Sequence, residues 1–169
     1  MKNKAKKTIP MIITERLVMK GITENDTDSI VNLRGEEEVY KYFKNPHKLT
    51  KEEHENWFNS FYVFDNCRYD WIAFEKESEK VVGVFGVFKS GDSSFGAEVS
   101  YLLDKEFRGA GYGHEALNGV INWAKDNLNI SYATAVIHKN NTKSIDFAKR
   151  EGFVKTSKDG LFYIFKKEL

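Results

Sequence analysis

The sequence lacks the features that mark disulfide-rich, membrane-spanning and nucleic-acid-binding proteins. Its one cysteine, Cys67, excludes an internal disulfide framework and suits a reducing compartment. No apolar run approaches the roughly 18 residues that a membrane span needs. Lys and Arg number 26 and Asp and Glu number 25, so the net charge of +1 offers no general basic surplus for nucleic acid. We therefore expect a cytoplasmic protein without nucleic-acid or membrane partners.

Linkers, internal repeats and metal-ligand spacings are also missing from the sequence. No Pro/Gly/Ser-rich segment divides the 169 residues, and 41% hydrophobic residues are enough for a packed core. The basic stretch at 1–10 has no apolar signal core, and we interpret it as a flexible tail ahead of one domain at 11–169. The four histidines and Cys67 have no metal-ligand spacing, so we predict no metal site.

Hydrophobic periodicity and turn residues predict an alternation of strands and helices. Strands are predicted at 11–20, 70–76, 80–89, 96–104 and 131–138, with a C-terminal hairpin around Asp159–Gly160. Helices are predicted within 23–35, from 50 onward, from 111 to about Asn127, and at 141–152, the first two opened by capping boxes. This order predicts an α/β (α+β) fold with a central mixed, mostly antiparallel sheet, helices on both faces and a parallel crossover at 97–138.

The segment "RGAGYG" (108–113) lies between a predicted strand and the start of a predicted helix. Backbone N–H groups and the helix dipole favour an anion there, and a pyrophosphate is the ligand that such a loop suits. A dinucleotide is one candidate, because Gly111, Gly113 and Ala116 satisfy G-x-G-x-x-G/A. Against it, the next predicted strand ends in His138 and Lys139, where that fingerprint expects an acidic residue.

The same loop resembles the Arg/Gln-x-x-Gly-x-Gly/Ala loop of the GNAT superfamily of acyl-CoA N-acyltransferases. "ITERLVMKGITENDTDSIVNLR" (13–34) and "NNTKSIDFAKREGF" (140–153) resemble the branch of ribosomal-protein alanine N-acetyltransferases (RimJ/RimL-like). The resemblance implies the GNAT fold and direct transfer of acetyl from acetyl-CoA to a primary amine in a ternary complex. A non-catalytic acyl-CoA-binding domain is the alternative on the same fold, and a homodimer is a habit of the family.

The resemblance also implies which residues hold acetyl-CoA. The pyrophosphate would rest on the loop amides, and the pantetheine arm would follow the strand before the loop. A backbone N–H near Leu102 would meet the oxyanion. The residues so implied are Tyr101, Leu102, Leu103, Arg108, Gly109, Ala110, Gly111, Tyr112, Gly113, His114 and Asn141.

Glu98 and Ser144 are the candidate catalytic residues. Glu98 is a carboxylate in an otherwise apolar strand, where burial would raise its pKa toward that of a useful base, and many family members have a glutamate there. The family often has a tyrosine acid at the position of Ala148, so that role is vacant, and the resemblance transfers it to Ser144. A solvated glutamate and an ordinary helix serine are the alternatives. The acceptor stays open among a protein N-terminus, an aminoglycoside, a polyamine and an amino sugar.

Overall fold

The computed structural model describes residues 7–89 and 95–169, and its centre is one mixed sheet. Eight described strands lie in the order β1-β2-β3-β4-β5-β6-β8-β7. β5 and β6 run parallel, and the other described neighbours are antiparallel, which confirms the predicted sheet. The strands are β1 Ile12–Ile13, β2 Leu17–Gly21, β3 Arg68–Glu75, β4 Val81–Phe88, β5 Gly96–Leu103, β6 Tyr132–His138, β7 Val154–Asp159 and β8 Phe162–Glu168.

Helices cover both faces of this sheet, as predicted. They are α1 Thr27–Arg34, α2 Glu37–Tyr40, α3 Lys51–Ser60, α4 Tyr112–Leu128 and α5 Thr142–Arg150. On one face, Ile30 of α1 and Phe58 of α3 share a buried cluster with Ile72 of β3. On the other face, α4 and α5 contribute to a larger cluster with β4 and β5. Five residues of α4 at helical spacing are buried there: Ala116, Leu117, Val120, Ile121 and Ala124.

Side-chain caps begin these helices where the sequence indicated. In the box before α1, the Thr23 N–H donates to the Asp26 carboxylate at 2.7 Å. In the box of α3, the Thr50 N–H donates to Glu53, whose own N–H donates to the Thr50 hydroxyl. Each cap satisfies N–H groups that have no partner inside the helix.

Two predicted boundaries are wrong. The strand predicted at 11–20 is two short antiparallel strands, β1 and β2, because a turn closes between Thr14 and Leu17 with a backbone hydrogen bond of 3.0 Å. α4 ends at Leu128, one residue later than predicted, and its C-terminal cap is Asn129, which takes the left-handed conformation with φ of 50°. Asn127 instead donates its side-chain amide to the Trp123 carbonyl inside the helix.

Part of two predictions lies outside the described residues, namely residues 1–6 of the predicted tail and the polar turn "SGDSS" at 90–94. The remainder of the tail, 7–10, contacts the sheet. The Trp71 indole N–H donates to the Pro10 carbonyl at 2.8 Å, and the Lys7 ammonium donates to the Asp65 carbonyl at 2.9 Å. The chain is therefore held against β3 before β1 begins.

Candidate active site

The parallel strands β5 and β6 separate along their length and leave an opening in the sheet. Their pairing covers only Gly96–Glu98 against Tyr132–Thr134, although β5 continues to Leu103 and β6 to His138. Beyond Glu98, one edge of β5 therefore faces the opening. A strand edge without a neighbour presents backbone N–H and C=O groups to a ligand.

The pairing of β5 with β4 decides which of its peptide groups face this opening. The Asp104 N–H donates to the Val82 carbonyl, and alternate residues of an antiparallel pair share the same orientation. Leu102 and Ser100 are therefore hydrogen-bonded to β4, and Tyr101 and Leu103 turn toward the opening. The Leu102 N–H points away from it, so the N–H groups near Leu102 that can serve as the predicted oxyanion donor are those of Tyr101 and Leu103.

Glu98 lies where the opening begins, on the face of the sheet that carries α1 and α3. Strand register places it in one row with Arg68, Phe88 and Thr134. Glu98 is exposed, yet the protein around its carboxylate disfavours the charge and raises its pKa, an effect that the cations Lys44 and Arg68 oppose. The predicted carboxylate thus stands at the opening with a perturbed pKa.

Ser144 lies in the first turn of α5, on the opposite face from Glu98. Its hydroxyl is hydrogen-bonded to the Tyr101 hydroxyl at 2.9 Å, and its N–H donates to the side chain of Asn141, the cap of α5. The Tyr101 ring meets the Phe147 ring edge-on at 4.9 Å. Burial raises the pKa of Tyr101 to about 12, so this phenol keeps its proton at neutral pH.

The backbone conformation and the packing of the loop explain why its residues 109, 111 and 113 are glycines. Gly109 and Gly111 take φ values of +82° and +85°, which residues with a Cβ rarely adopt. A Cβ at Gly113 would lie 3.4 Å from the Phe147 ring, so this glycine lets α4 approach α5. A Cβ at Gly109 would meet nothing within 4 Å, which leaves open space above the loop.

This loop leads into the N-terminus of α4, a helix of 17 residues. The first N–H groups of any helix lack partners inside it, and here they belong to Tyr112, Gly113 and His114. The side chains of two of these residues are bound elsewhere. The Tyr112 hydroxyl donates to Glu75, and the His114 ring lies 2.9 Å from the Glu151 carboxylate. The backbone at this helix end is therefore the part that suits an anion.

Two arginines brace the loop from the protein side. The Arg108 guanidinium donates to the Leu103 carbonyl at 3.0 and 3.1 Å, so it joins the loop to the end of β5. Arg16 donates to the Ala110 carbonyl at 2.9 Å and to the Glu115 carboxylate at 2.7 Å. Nothing in the local pattern around Arg16 indicates this role, because its partners lie more than 90 residues further along the chain.

We expect Glu115→Gln to loosen this bracing. Burial alone would raise the pKa of Glu115, but hydrogen bonds from Thr14 and Arg16 outweigh it and lower the pKa. A lowered pKa stabilises the folded state above the unfolded pKa, near 4.3, and this stabilisation is lost as the pH falls through the folded pKa. At pH 7, urea unfolding should give the variant a free energy of unfolding about 1 to 3 kcal/mol lower than that of the parent, and this difference should shrink toward pH 3.

The control for this experiment is Glu168→Gln, which removes a carboxylate from an exposed ion pair with Lys166. Exposed pairs contribute little, so this variant should unfold like the parent at both pH values. If Glu115→Gln unfolds like the control, the carboxylate is not what holds Arg16 against the loop.

Sequence patterns did not indicate the three cations on the Glu98 side of the sheet, of which Lys44 and Arg68 act on the charge of Glu98. Arg34 ends α1, Lys44 follows α2, and Arg68 opens β3. Only the packing of these separate elements on one face of the sheet brings the three side chains together.

Within residues 7–89 and 95–169, no helix has the length and apolar character to cross a membrane, and no group of three or more His, Cys, Asp or Glu side chains could hold a metal ion.

Comparisons with known proteins agree with this architecture. The model of the family described as "Acetyltransferase (GNAT) domain" matches residues 16–154. The uncharacterised protein MJ1062 of Methanocaldococcus jannaschii is 31% identical over 147 residues, which cover 85% of this chain and 29% of that protein. The uncharacterised N-acetyltransferase YoaA of Bacillus subtilis is 22% identical over 148 residues, which cover 86% of this chain and 84% of that protein.

A solved structure shares the fold. The spermidine N-acetyltransferase of Vibrio cholerae in complex with CoA and spermine superposes with a TM-score of 0.76 at 17% identity, over 89% of this chain and 93% of that one. The chain therefore belongs to the GNAT acetyltransferase domain family, a class of acyl-CoA N-acyltransferases, and the prediction of that class is confirmed. It spans less than a third of the length of MJ1062.

Proposed function

We propose that this chain transfers the acetyl group of acetyl-CoA to a primary amine by direct transfer in a ternary complex. The observation that carries the proposal is the arrangement along β5. A carboxylate with a raised pKa stands where the opening begins, and a loop and a helix N-terminus suited to pyrophosphate follow the other end of the same strand. From Glu98 to Leu103 the strand extends roughly 17 Å, so an extended thioester arm can reach from one to the other.

The residues present fit acetyl-CoA. Open space lies above Gly109, and the first N–H groups of α4 lie beside it to receive the phosphates. The peptide groups of Tyr101 and the N–H of Leu103 face the opening and would bind the pantetheine amides as a neighbouring strand does, while the Leu103 carbonyl is held by Arg108. Bound there, acetyl-CoA supplies an activated acetyl thioester.

Glu98 acts as the base in this proposal. An ammonium with a pKa near 10 holds its proton at neutral pH, so the amine must lose it before it attacks. Glu98 takes that proton, directly or through a water, at the face from which the acceptor approaches. The N–H groups of Tyr101 or Leu103 stabilise the negative charge that develops on the carbonyl oxygen.

The paired hydroxyls of Tyr101 and Ser144 act on the sulfur. A thiolate has an ordinary pKa of about 8.5, whereas the pKa of Tyr101 is raised to about 12, so proton transfer from this phenol is uphill. The pair therefore stabilises the departing thiolate by hydrogen bonds, and solvent supplies the proton. This deepens the role predicted for Ser144, since its hydroxyl does not act alone.

The proposal is tested first by ligand binding and then by turnover. Acetyl-CoA at 100 times its Kd should raise the Tm by about 5 to 10 °C, whereas NADH should leave the Tm unchanged. Free thiol should then appear with acetyl-CoA and a panel of primary amines, and only when both substrates are present. Stabilisation by NADH alone would contradict the proposal. Stabilisation by acetyl-CoA without thiol release from any amine would favour the non-catalytic acyl-CoA-binding alternative.

A further inference from the structure

The Arg34 guanidinium lies partly buried on the Glu98 face without an anionic partner. Its closest interaction is with the Phe43 ring, whose centroid lies 4.8 Å away. Among residues 7–89 and 95–169, no acceptor is within hydrogen-bond distance of its nitrogen atoms. A guanidinium presents five N–H donors in a planar fork. Those of Arg34 reach solvent and are available to a ligand, but partial burial of the charge without an anionic partner still has a cost.

The surroundings of Arg34 increase this cost. Burial lowers the pKa of Arg34, and the charge of Arg68 lowers it further, although Asp70 opposes both. Arg68 is itself paired with Asp70 at 2.7 Å, so that carboxylate is already engaged. Nearby, His54 is 1% exposed, and its Nε2 atom has no partner among the described residues. His54 is too buried to reach a ligand, whereas an anionic ligand can pair with the accessible guanidinium of Arg34.

Arg34 is connected to the candidate base through two cations, its neighbour Arg68 and Lys44, which follows the Phe43 ring that Arg34 contacts. Arg68 and Glu98 occupy the same row of the sheet two strands apart, which corresponds to about 10 Å between their backbones. Lys44 is near enough to Glu98 to lower its pKa. With Asp70 paired to Arg68, the charged side chains that act on Glu98 are the cations Lys44 and Arg68. Cations beside the base favour an amine that also carries an anion.

We infer that the acceptor is a primary amine bearing a carboxylate or a phosphate several bonds from its nitrogen, and that the Arg34 guanidinium binds this anion beside Arg68 and Lys44. The inference rests on the proposed acetyl transfer and names the substrate class of the same site. The amine would approach Glu98 while the anion occupies the fork of Arg34. An anion bound bidentately by arginine gains both affinity and orientation.

Matched acceptors test this inference by free-thiol release. One set compares 6-aminohexanoate with hexylamine and 1,6-diaminohexane, and the other compares glucosamine 6-phosphate with glucosamine. We expect kcat/KM for the anionic member of at least one set to exceed that of its neutral match by about tenfold to a hundredfold. The set that shows the preference identifies the anion as carboxylate or phosphate. A preference for the neutral or dicationic member in both sets would overturn the inference and leave acetyl transfer intact.

Variants of Arg34 separate binding from a structural role. Arg34→Gln should reduce the preference to within about threefold, and Arg34→Lys should keep part of it, because a lysine retains the charge without the fork. Arg150→Gln, an exposed arginine of α5, is the matched control and should keep the full preference. Without ligand, Arg34→Gln should change the Tm by no more than about 2 °C, because the guanidinium has no anionic partner in the described chain to lose. A larger fall in Tm, with the preference unchanged, would make Arg34 structural and overturn the inference.

A binding measurement needs no turnover. With acetyl-CoA saturating, so that the loop is filled, inorganic phosphate is titrated while the Tm is followed. The Tm of the parent and of Arg150→Gln should rise with phosphate, whereas that of Arg34→Gln should not. If no amine releases thiol, the proposed activity fails, and this titration alone decides the inference. Equal responses in all three proteins would overturn it.

Discussion

Glu98→Gln is expected to lower kcat by roughly two to four orders of magnitude, the usual contribution of a general base. The affinity for acetyl-CoA should stay nearly unchanged, because its phosphates and pantetheine are assigned to the loop and to the backbone of β5. Glutamine preserves the size of the side chain and its place in the row with Arg68 and Phe88, so the change is confined to proton transfer. Steady-state thiol release at saturating acetyl-CoA measures the first effect, and a thermal-shift titration measures the second.

The pH profile gives the same experiment a second readout. Desolvation by the protein around the exposed Glu98 side chain raises its pKa, so the active carboxylate form is lost as the pH falls through that raised value. The acidic limb of the kcat/KM profile should therefore disappear in Glu98→Gln, whereas the dependence on the amine's own pKa remains. A raised carboxyl pKa also destabilises the fold at pH values above it, so the variant should be no less stable than the parent at pH 7.

Glu77→Gln is the control, since Glu77 is an exposed glutamate in the turn between β3 and β4. It should keep the parent's turnover and both limbs of the profile. If Glu98→Gln turns over a good acceptor like this control, another group or the solvent removes the proton, and the role given to Glu98 is wrong.

The sequence indicated those parts of the site that depend on patterns among neighbouring residues. A carboxylate in an apolar strand identified Glu98, and alternating glycines before a helical stripe identified the loop at 108–113. The order of strands and helices also predicted the mixed sheet and its parallel crossover, because each element has its own periodicity. These features depend on residues that are close together in the chain.

The rest of the site depends on packing between distant segments. The Leu102 N–H points toward β4 because of the register in which β4 and β5 pair. A pattern of apolar residues does not predict that register. Arg16 contacts the loop because the turn between β1 and β2 lies beside α4, and the charge of Arg68 acts on Arg34 because α1 lies across the sheet. From the sequence, a basic residue at the C-terminal end of a helix is expected to interact favourably with the helix dipole. Only the fold shows that this one lacks a partner.

Gly109→Val is expected to weaken acetyl-CoA binding by about one to two orders of magnitude, the equivalent of losing one charge-assisted hydrogen bond or of moving it out of line. Gly109 has a φ of +82°, and, apart from its own chain neighbours, no atom of residues 7–89 and 95–169 lies within 4 Å of the place where its Cβ would be. The substitution therefore meets no protein neighbour at its Cβ, but it strains the backbone and puts a side chain where we place the pyrophosphate. Isothermal titration with acetyl-CoA measures the loss.

Gly160→Val provides a control with a similar backbone cost. Gly160, in the turn between β7 and β8, also has a positive φ, +55°, and its Cβ would likewise meet nothing within 4 Å. Both variants should lose about 1 to 2 kcal/mol of stability through left-handed strain. Only Gly109→Val should lose affinity, because only its loop is proposed to hold a ligand. Equal affinities in the two variants would mean that the loop is a tight turn held by Arg16 and Arg108, and that the phosphates bind elsewhere.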